Sequence, residues 1–303
     1  MTDLSVNVAG VAFHNPLIAA SGTFGFGREY AEFYPLSTLG GISCKGITLQ
    51  ERPGNPPPRI AETPSGMLNA VGLQNPGVDH FIREDLPWLR EQGTRIIANI
   101  AGNTPEDYCA MAEKLNDTDV DMIELNISCP NVKQGGVQFG TTTEGVSGVT
   151  GAVRRVCKKP LMVKLSPNVS DIGEMALAAE AAGADAISLI NTLTGMRIDI
   201  RTRRPIIRNN TGGLSGPAVF PVAVRMVWQA ASKVKIPVVG LGGIATWQDA
   251  VEMLMAGATA LQIGTVLFTD PMAPVKILKG LENFLQEQGI EHVSELTGTV
   301  RPW

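Results

Sequence analysis

Leu161-Met-Val-Lys-Leu-Ser-Pro-Asn-Val-Ser-Asp-Ile-Gly-Glu-Met-Ala-Leu-Ala-Ala-Glu-Ala-Ala-Gly-Ala-Asp-Ala-Ile-Ser-Leu-Ile-Asn191 contains one complete strand, helix and strand. The apolar run Leu161–Lys164 reads as a strand buried on both faces. Ser170-Asp-Ile-Gly-Glu174 then places acids in the first turns of a helix spanning Asp171 to Ala182, where they complement the free backbone N–H groups. Ala182-Gly183-Ala184 closes that helix, the glycine supplying a left-handed cap, and Ala186 to Asn191 is the next buried strand.

The same unit recurs in both directions along the chain. Further short apolar runs lie at Pro16 to Ser21, Gly41 to Lys45, Arg95 to Asn99, Met122 to Asn126, Ile236 to Gly240 and Ala260 to Gly264, giving eight candidate strands. Helical periodicity falls between most of them, at Val78 to Glu91, Thr104 to Asn116, Pro217 to Lys233, Thr246 to Met255 and Met272 to Gln288. Thr104-Pro105 and Gly216-Pro217 put proline at a first helical position, and Ala256-Gly257-Ala258 repeats the closing turn. Eight such units in 303 residues predict a single-domain (β/α)8 barrel over residues 1–303, with an open doubly wound sheet as the alternative. The connection from Gln50 to Gly77 is rich in Pro and Gly and too long for a passive loop, so it is expected to fold over something.

Composition narrows the function. Hydrophobic residues make up 44% and charged residues 18%, which supports a substantial core, and the net charge of -4 lacks the basic excess of a nucleic-acid binder. Cys44, Cys109, Cys129 and Cys157 form no close cluster, so neither a zinc site nor an iron–sulfur cluster is expected in this chain. No apolar run approaches the roughly 20 residues of a membrane span and no basic leader opens the sequence, which predicts a cytoplasmic protein with reduced thiols.

In a barrel the last residues of the strands share one rim, and the active site sits there. Those residues are Ser21, Lys45, Asn99, Asn126, Lys164, Asn191, Gly242-Gly243 and Gly264-Thr265. A lysine ending an apolar strand needs a partner for its ammonium, and an anion or electron-rich ring is the economical one. Gly240-Leu-Gly-Gly-Ile-Ala245 superficially resembles a dinucleotide fingerprint, but it comes late in the series and the next strand ends in Gly264-Thr265 rather than an acid. Paired with Gly264-Thr265, it reads better as a monophosphate cradle, which favours FMN over NAD or FAD in this chain. Cys129 stands just beyond a strand end in Asn126-Ile-Ser-Cys-Pro-Asn131, where a thiol can move a proton, whereas Cys44, Cys109 and Cys157 read as small buried hydrophobes. His14, His80 and His292 lie away from the rim, so no Cys–His pair is evident.

Taken together, Asn69-Ala-Val-Gly-Leu-Gln-Asn-Pro-Gly77, Asn126-Ile-Ser-Cys-Pro-Asn131, Val163-Lys-Leu-Ser-Pro167, Ile190-Asn-Thr192 and Thr211-Gly-Gly-Leu-Ser-Gly-Pro217, with the terminal glycine pairs, resemble the dihydroorotate dehydrogenases, flavin enzymes of pyrimidine synthesis. The resemblance runs from about residue 4 to residue 290. It implies that FMN is held by Ser21, Lys45, Gly46, Asn99, Asn126, Lys164, Ile190, Gly216, Gly242, Gly243, Gly264 and Thr265. It implies that dihydroorotate or orotate is held by Lys45, by Asn69, Ala70, Val71, Gly72 and Leu73, and by Asn126, Asn191 and Thr192. Cys129 would take a proton from ring carbon 5 while hydride leaves carbon 6 for the flavin, and Lys164 would stabilise negative charge on the reduced flavin. Residues 50–77 and 129–142 would cover the site.

Lys133-Gln-Gly-Gly136, Lys164-Leu-Ser-Pro167 and Thr192-Leu-Thr-Gly-Met-Arg-Ile-Asp199 resemble the NAD-linked class. This implies a partner electron-transfer subunit with FAD and a [2Fe-2S] cluster, two copies of each subunit, and NAD as final acceptor. The alternatives are the fumarate-linked class and the FMN-dependent dihydropyrimidine dehydrogenases, and outside redox chemistry a phosphate-binding barrel.

Overall fold

A computed structural model describes residues 2–128 and 139–303 of the chain. Cys129 lies outside the described residues, as does most of the 129–142 segment. Eight parallel strands close into a barrel: Leu17–Ala19, Gly41–Ser43, Arg95–Ile100, Met122–Asn126, Leu161–Lys164, Ala186–Leu189, Val238–Leu241 and Ala260–Ile263. Each pairs with its sequence neighbours, and the last pairs with the first through Gln262 opposite Ile18. All are short and almost wholly buried, as expected for strands enclosed between a packed interior and a helical ring.

The helices follow the local chemistry. Thr104 caps Pro105–Asn116 in a reciprocal box with Asp107, and Thr246 does the same with Asp249 for Trp247–Met255. Asp171 caps Ile172–Ala181 by accepting from the Gly173 and Glu174 N–H groups. Gly183 and Gly257 take φ of +97° and +122° at the turns that follow two of these helices, where a side chain would be strained. Thr143–Val156 is a helix that the apolar pattern did not announce, because Gly145, Gly148 and Gly151 dilute it. Val146, Val149, Thr150 and Val153 nevertheless form one buried face.

The long second connection is not an irregular loop throughout. Ile60–Thr63 and Gly66–Asn69 form a hairpin, extended by Gly212–Ser215 and Leu193–Gly195 into a four-stranded antiparallel sheet beside the barrel mouth. Beyond Asn69 the chain turns at Gly72 and at Leu73, which has φ of +57°, an uncommon value for a branched residue. Asn75 holds that turn, donating to the Leu73 carbonyl at 2.6 Å and to Thr48 Oγ1 at 2.9 Å. Cys44 and Cys157 are buried as expected; Cys109 corrects the expectation, being only partly covered on its helix.

Candidate functional site

A cavity of about 450 Å³ opens at the C-terminal ends of the barrel strands, within the size range of cofactor and small-molecule sites. Most of the expected rim residues reach it: Ser21, Lys45, Gly46, Asn126, Lys164, Ile190, Asn191, Thr192, Gly216, Gly242, Gly243, Gly264 and Thr265. From the second connection come Asn69, Val71, Gly72 and Leu73, together with Ile60 and Met67 of the hairpin. Two expected residues stand apart. Ala70 does not line the cavity; it packs with Leu68 and Ile207 in a small separate core. Asn99 is wholly buried beneath the cavity, where it contacts Asn126 rather than the open space.

At the glycine end, Gly216 precedes the turn Pro217–Val219 and the helix Phe220–Ala231, so backbone N–H groups of a helix start lie beside Gly242 and Gly243. The packing there excludes side chains: a Cβ on Gly243 would lie 2.8 Å from the Phe220 nitrogen and 2.9 Å from the Gly216 oxygen. Its φ of +79° would strain one as well. Thr265 Oγ1 donates to Ser215 Oγ at 2.9 Å, tying the eighth strand end to the side sheet.

Lys164 is 4% exposed, and among the described residues its ammonium makes one long hydrogen bond, 3.5 Å to Gln262 Oε1. A buried ammonium carries three donors, so capacity remains for an acceptor in the cavity. The amides form a connected row: Asn126 Nδ2 donates to Asn99 Oδ1 at 3.4 Å, and Asn191 Nδ2 donates to Asn126 Oδ1 at 3.3 Å and to Ser128 Oγ at 2.8 Å. The cavity therefore combines a glycine-lined helix start suited to a phosphate, a cation with spare donors and a row of amides suited to a ring bearing carbonyl and N–H groups. These residues fit FMN beside a small planar substrate.

The sequence profile of the family described as dihydroorotate dehydrogenase matches residues 3–285. The chain belongs to the dihydroorotate dehydrogenase family. Among its relatives, a Petrotoga mobilis protein is 54% identical over 300 residues, covering 99% of this chain and 100% of the relative. One from Bacteroides fragilis is 56% identical over 301 residues, covering 99% of each, and one from Alkaliphilus oremlandii is 55% identical over 296 residues, covering 98% of each. All three bear the name dihydroorotate dehydrogenase B (NAD(+)), catalytic subunit.

In this dihydroorotate dehydrogenase family member the strand ends account for most of the cavity wall, but the polar residues inside the strands are not legible from strand ends alone. Ser43, Glu124, Ser188 and Gln262 are all buried in barrel strands, and Gln262 also lines the cavity; for Glu124 and Gln262 the readable signal is a charged or amide side chain inside an otherwise apolar run. Glu124 adjoins Asn99 in the register of the third and fourth strands, and Ser188 adjoins Lys164 in that of the fifth and sixth. Among the described residues no group of three or more His, Cys, Asp or Glu could hold a metal ion, and no helix is long and apolar enough to cross a membrane.

Proposed function

We propose that this chain oxidises (S)-dihydroorotate to orotate in pyrimidine nucleotide synthesis in the cytoplasm, using FMN bound in the mouth of a single barrel domain. The observation that carries this reading is the convergence of Lys45, Lys164 and the Asn69, Asn126 and Asn191 amides on the same cavity as the glycines at 216, 242, 243 and 264. FMN would be held by Ser21, Gly46, Asn126, Lys164 and Ile190 and by the glycine and Thr265 backbone, with Asn99 supporting Asn126 from below. Bound FMN supplies the two-electron oxidant.

The chain's own residues do the rest. The Lys45 ammonium faces the substrate carboxylate, and the Asn amides read its ring carbonyl and N–H groups. Asn69, Val71, Gly72 and Leu73, on the turn fixed by Asn75, close over the ring, so that the 50–77 segment covers the site together with 129–142. Cys129 takes the proton from ring carbon 5, a thiol being a side chain whose ordinary ionisation lies close enough to neutrality for that role. Lys164 keeps a positive charge where electron density collects.

The electrons then pass to NAD through a partner subunit bearing FAD and a [2Fe-2S] cluster, in an assembly of two catalytic and two electron-transfer chains. The relatives' designation as catalytic subunits supports a partner. So do exposed apolar side chains at the mouth: Ile60 and Phe268 line the cavity yet are 57% and 54% exposed. The purified chain is therefore expected to form NADH from dihydroorotate at least about tenfold more slowly than the same chain with the electron-transfer subunit added. Steady-state absorbance of NADH is the measurement. Fast NADH formation by the chain alone would remove the two-subunit reading, and fast fumarate reduction would move the chain to the fumarate-linked class.

A further inference from the structure

Glu124, in the fourth barrel strand two residues before Asn126, is fully buried and has no part in the chemistry above. Its Oε2 accepts from Ser43 Oγ and Asn99 Nδ2, both at 2.6 Å. Its Oε1 accepts from Ser188 Oγ at 2.7 Å and Gln262 Nε2 at 2.8 Å. Burial pushes this carboxyl pKa up, but the Lys164 charge and the Ser43, Ser188 and Asn99 donors outweigh it and hold the group below the ordinary carboxylate range. The side chain is ionised and can only accept.

That restriction propagates. An amide facing an acceptor on both oxygens must turn its NH2 toward it and its oxygen away. Asn99 does so and offers Oδ1 to Asn126 Nδ2; Asn126 then offers Oδ1 to Asn191 Nδ2; Asn191 offers Oδ1 to the Thr192 N–H at 2.8 Å. Gln262 obeys the same rule on the other side, its oxygen left for Lys164.

We propose that Glu124 is a positioning residue whose acceptor-only carboxylate sets the donor and acceptor sense of the Asn99, Asn126 and Asn191 relay, and so decides which ring faces the cavity can read. The inference rests on the reading of Asn126 and Asn191 as substrate contacts. Glu124→Gln keeps the shape but replaces one acceptor oxygen with an NH2 that confronts the two donors that oxygen held, a serine hydroxyl, which can turn to accept, and an amide NH2, which cannot. If Asn99 turns over, its NH2 faces Asn126 Nδ2, and the mismatch runs along the relay to Asn191, whose Oδ1 is held by the Thr192 backbone N–H, a group that can only donate.

The test uses the flavin-loaded protein, with orotate affinity read from the shift of the flavin band and the flavin midpoint potential read separately. E124Q is expected to weaken orotate binding by on the order of tenfold or more, because buried groups are left mismatched. Ser43→Ala and Ser188→Ala each remove one hydrogen bond from the same carboxylate without facing an amide, and are expected to stay within about twofold. Losing a negative charge near Lys164 should also raise the midpoint potential, a direction that a mere packing defect does not dictate. Unchanged orotate affinity in E124Q, equal losses in all three variants, or a lowered potential would each overturn the proposal. If E124Q does not fold, Asn99→Leu breaks the first link and leaves the carboxylate three donors; it must show the same loss, and full affinity there also overturns the proposal. Wild-type protein that ignores orotate sinks the substrate reading and this inference with it, whereas equal binding by wild type and E124Q sinks this inference alone.

Discussion

Cys129→Ala retains FMN and loses flavin reduction by dihydroorotate, with the rate falling by about 10²–10⁴, the usual contribution of a positioned base. The phosphate and ring contacts proposed for Ser21, Gly216, Gly242, Gly243 and Thr265 do not involve the thiol, so cofactor content should remain near that of the parent. Cys129→Ser should keep a small activity that rises with pH, because a hydroxyl is a far poorer base than a thiolate and deprotonates only in alkali. Anaerobic stopped-flow bleaching of the flavin band separates these outcomes. Bleaching of the alanine variant at close to the parent rate near neutral pH would remove Cys129 from the mechanism.

Lys164→Ala should weaken FMN binding by about a hundredfold, roughly 3 kcal/mol, the cost of deleting one member of a buried charged arrangement. Glu124 would remain, held by its four donors but without the cation that helps keep it ionised. The variant's flavin should also have a lower reduction potential, since a positive charge beside the ring favours the electron-rich form. This shift is opposite in sign to that expected for E124Q, so a redox titration of both variants tests the charge arrangement rather than the integrity of the barrel. An unchanged potential in Lys164→Ala would place that ammonium away from the ring.

The barrel was readable because its strands are enclosed on both faces: Leu161–Lys164 and Ala260–Ile263 appear as short, mostly apolar runs, and caps such as Thr104 and Asp171 mark where helices begin. The side sheet was not readable for the opposite reason. Ile60–Thr63 is largely exposed and Gly66–Asn69 opens on a glycine, so neither carries a buried run, and the pairing of Gly66–Asn69 with Gly212–Ser215 joins segments about 150 residues apart. At the site, the rim residues were legible because position at a strand end fixes which way they face. Asn99 and Ala70 show the limit of that rule: Asn99 stands at a strand end like the residues that reach the cavity, and Ala70 lies between Asn69 and Val71, which do, yet Asn99 is turned into the buried network and Ala70 into a local core. The Glu124 network was hidden further, since its links depend on which strands lie side by side and at what register, and no local pattern encodes either.

The central claim is that one cavity holds both the flavin and dihydroorotate. Its most direct test is to mix the purified, flavin-loaded chain with dihydroorotate in the absence of oxygen and follow the flavin band, with dihydrouracil as the comparison. The account predicts rapid bleaching and release of orotate with dihydroorotate, and none with dihydrouracil, which lacks the carboxylate assigned to Lys45. A chain that purifies without flavin and cannot be loaded, or a flavin band that dihydroorotate leaves unchanged, would contradict it.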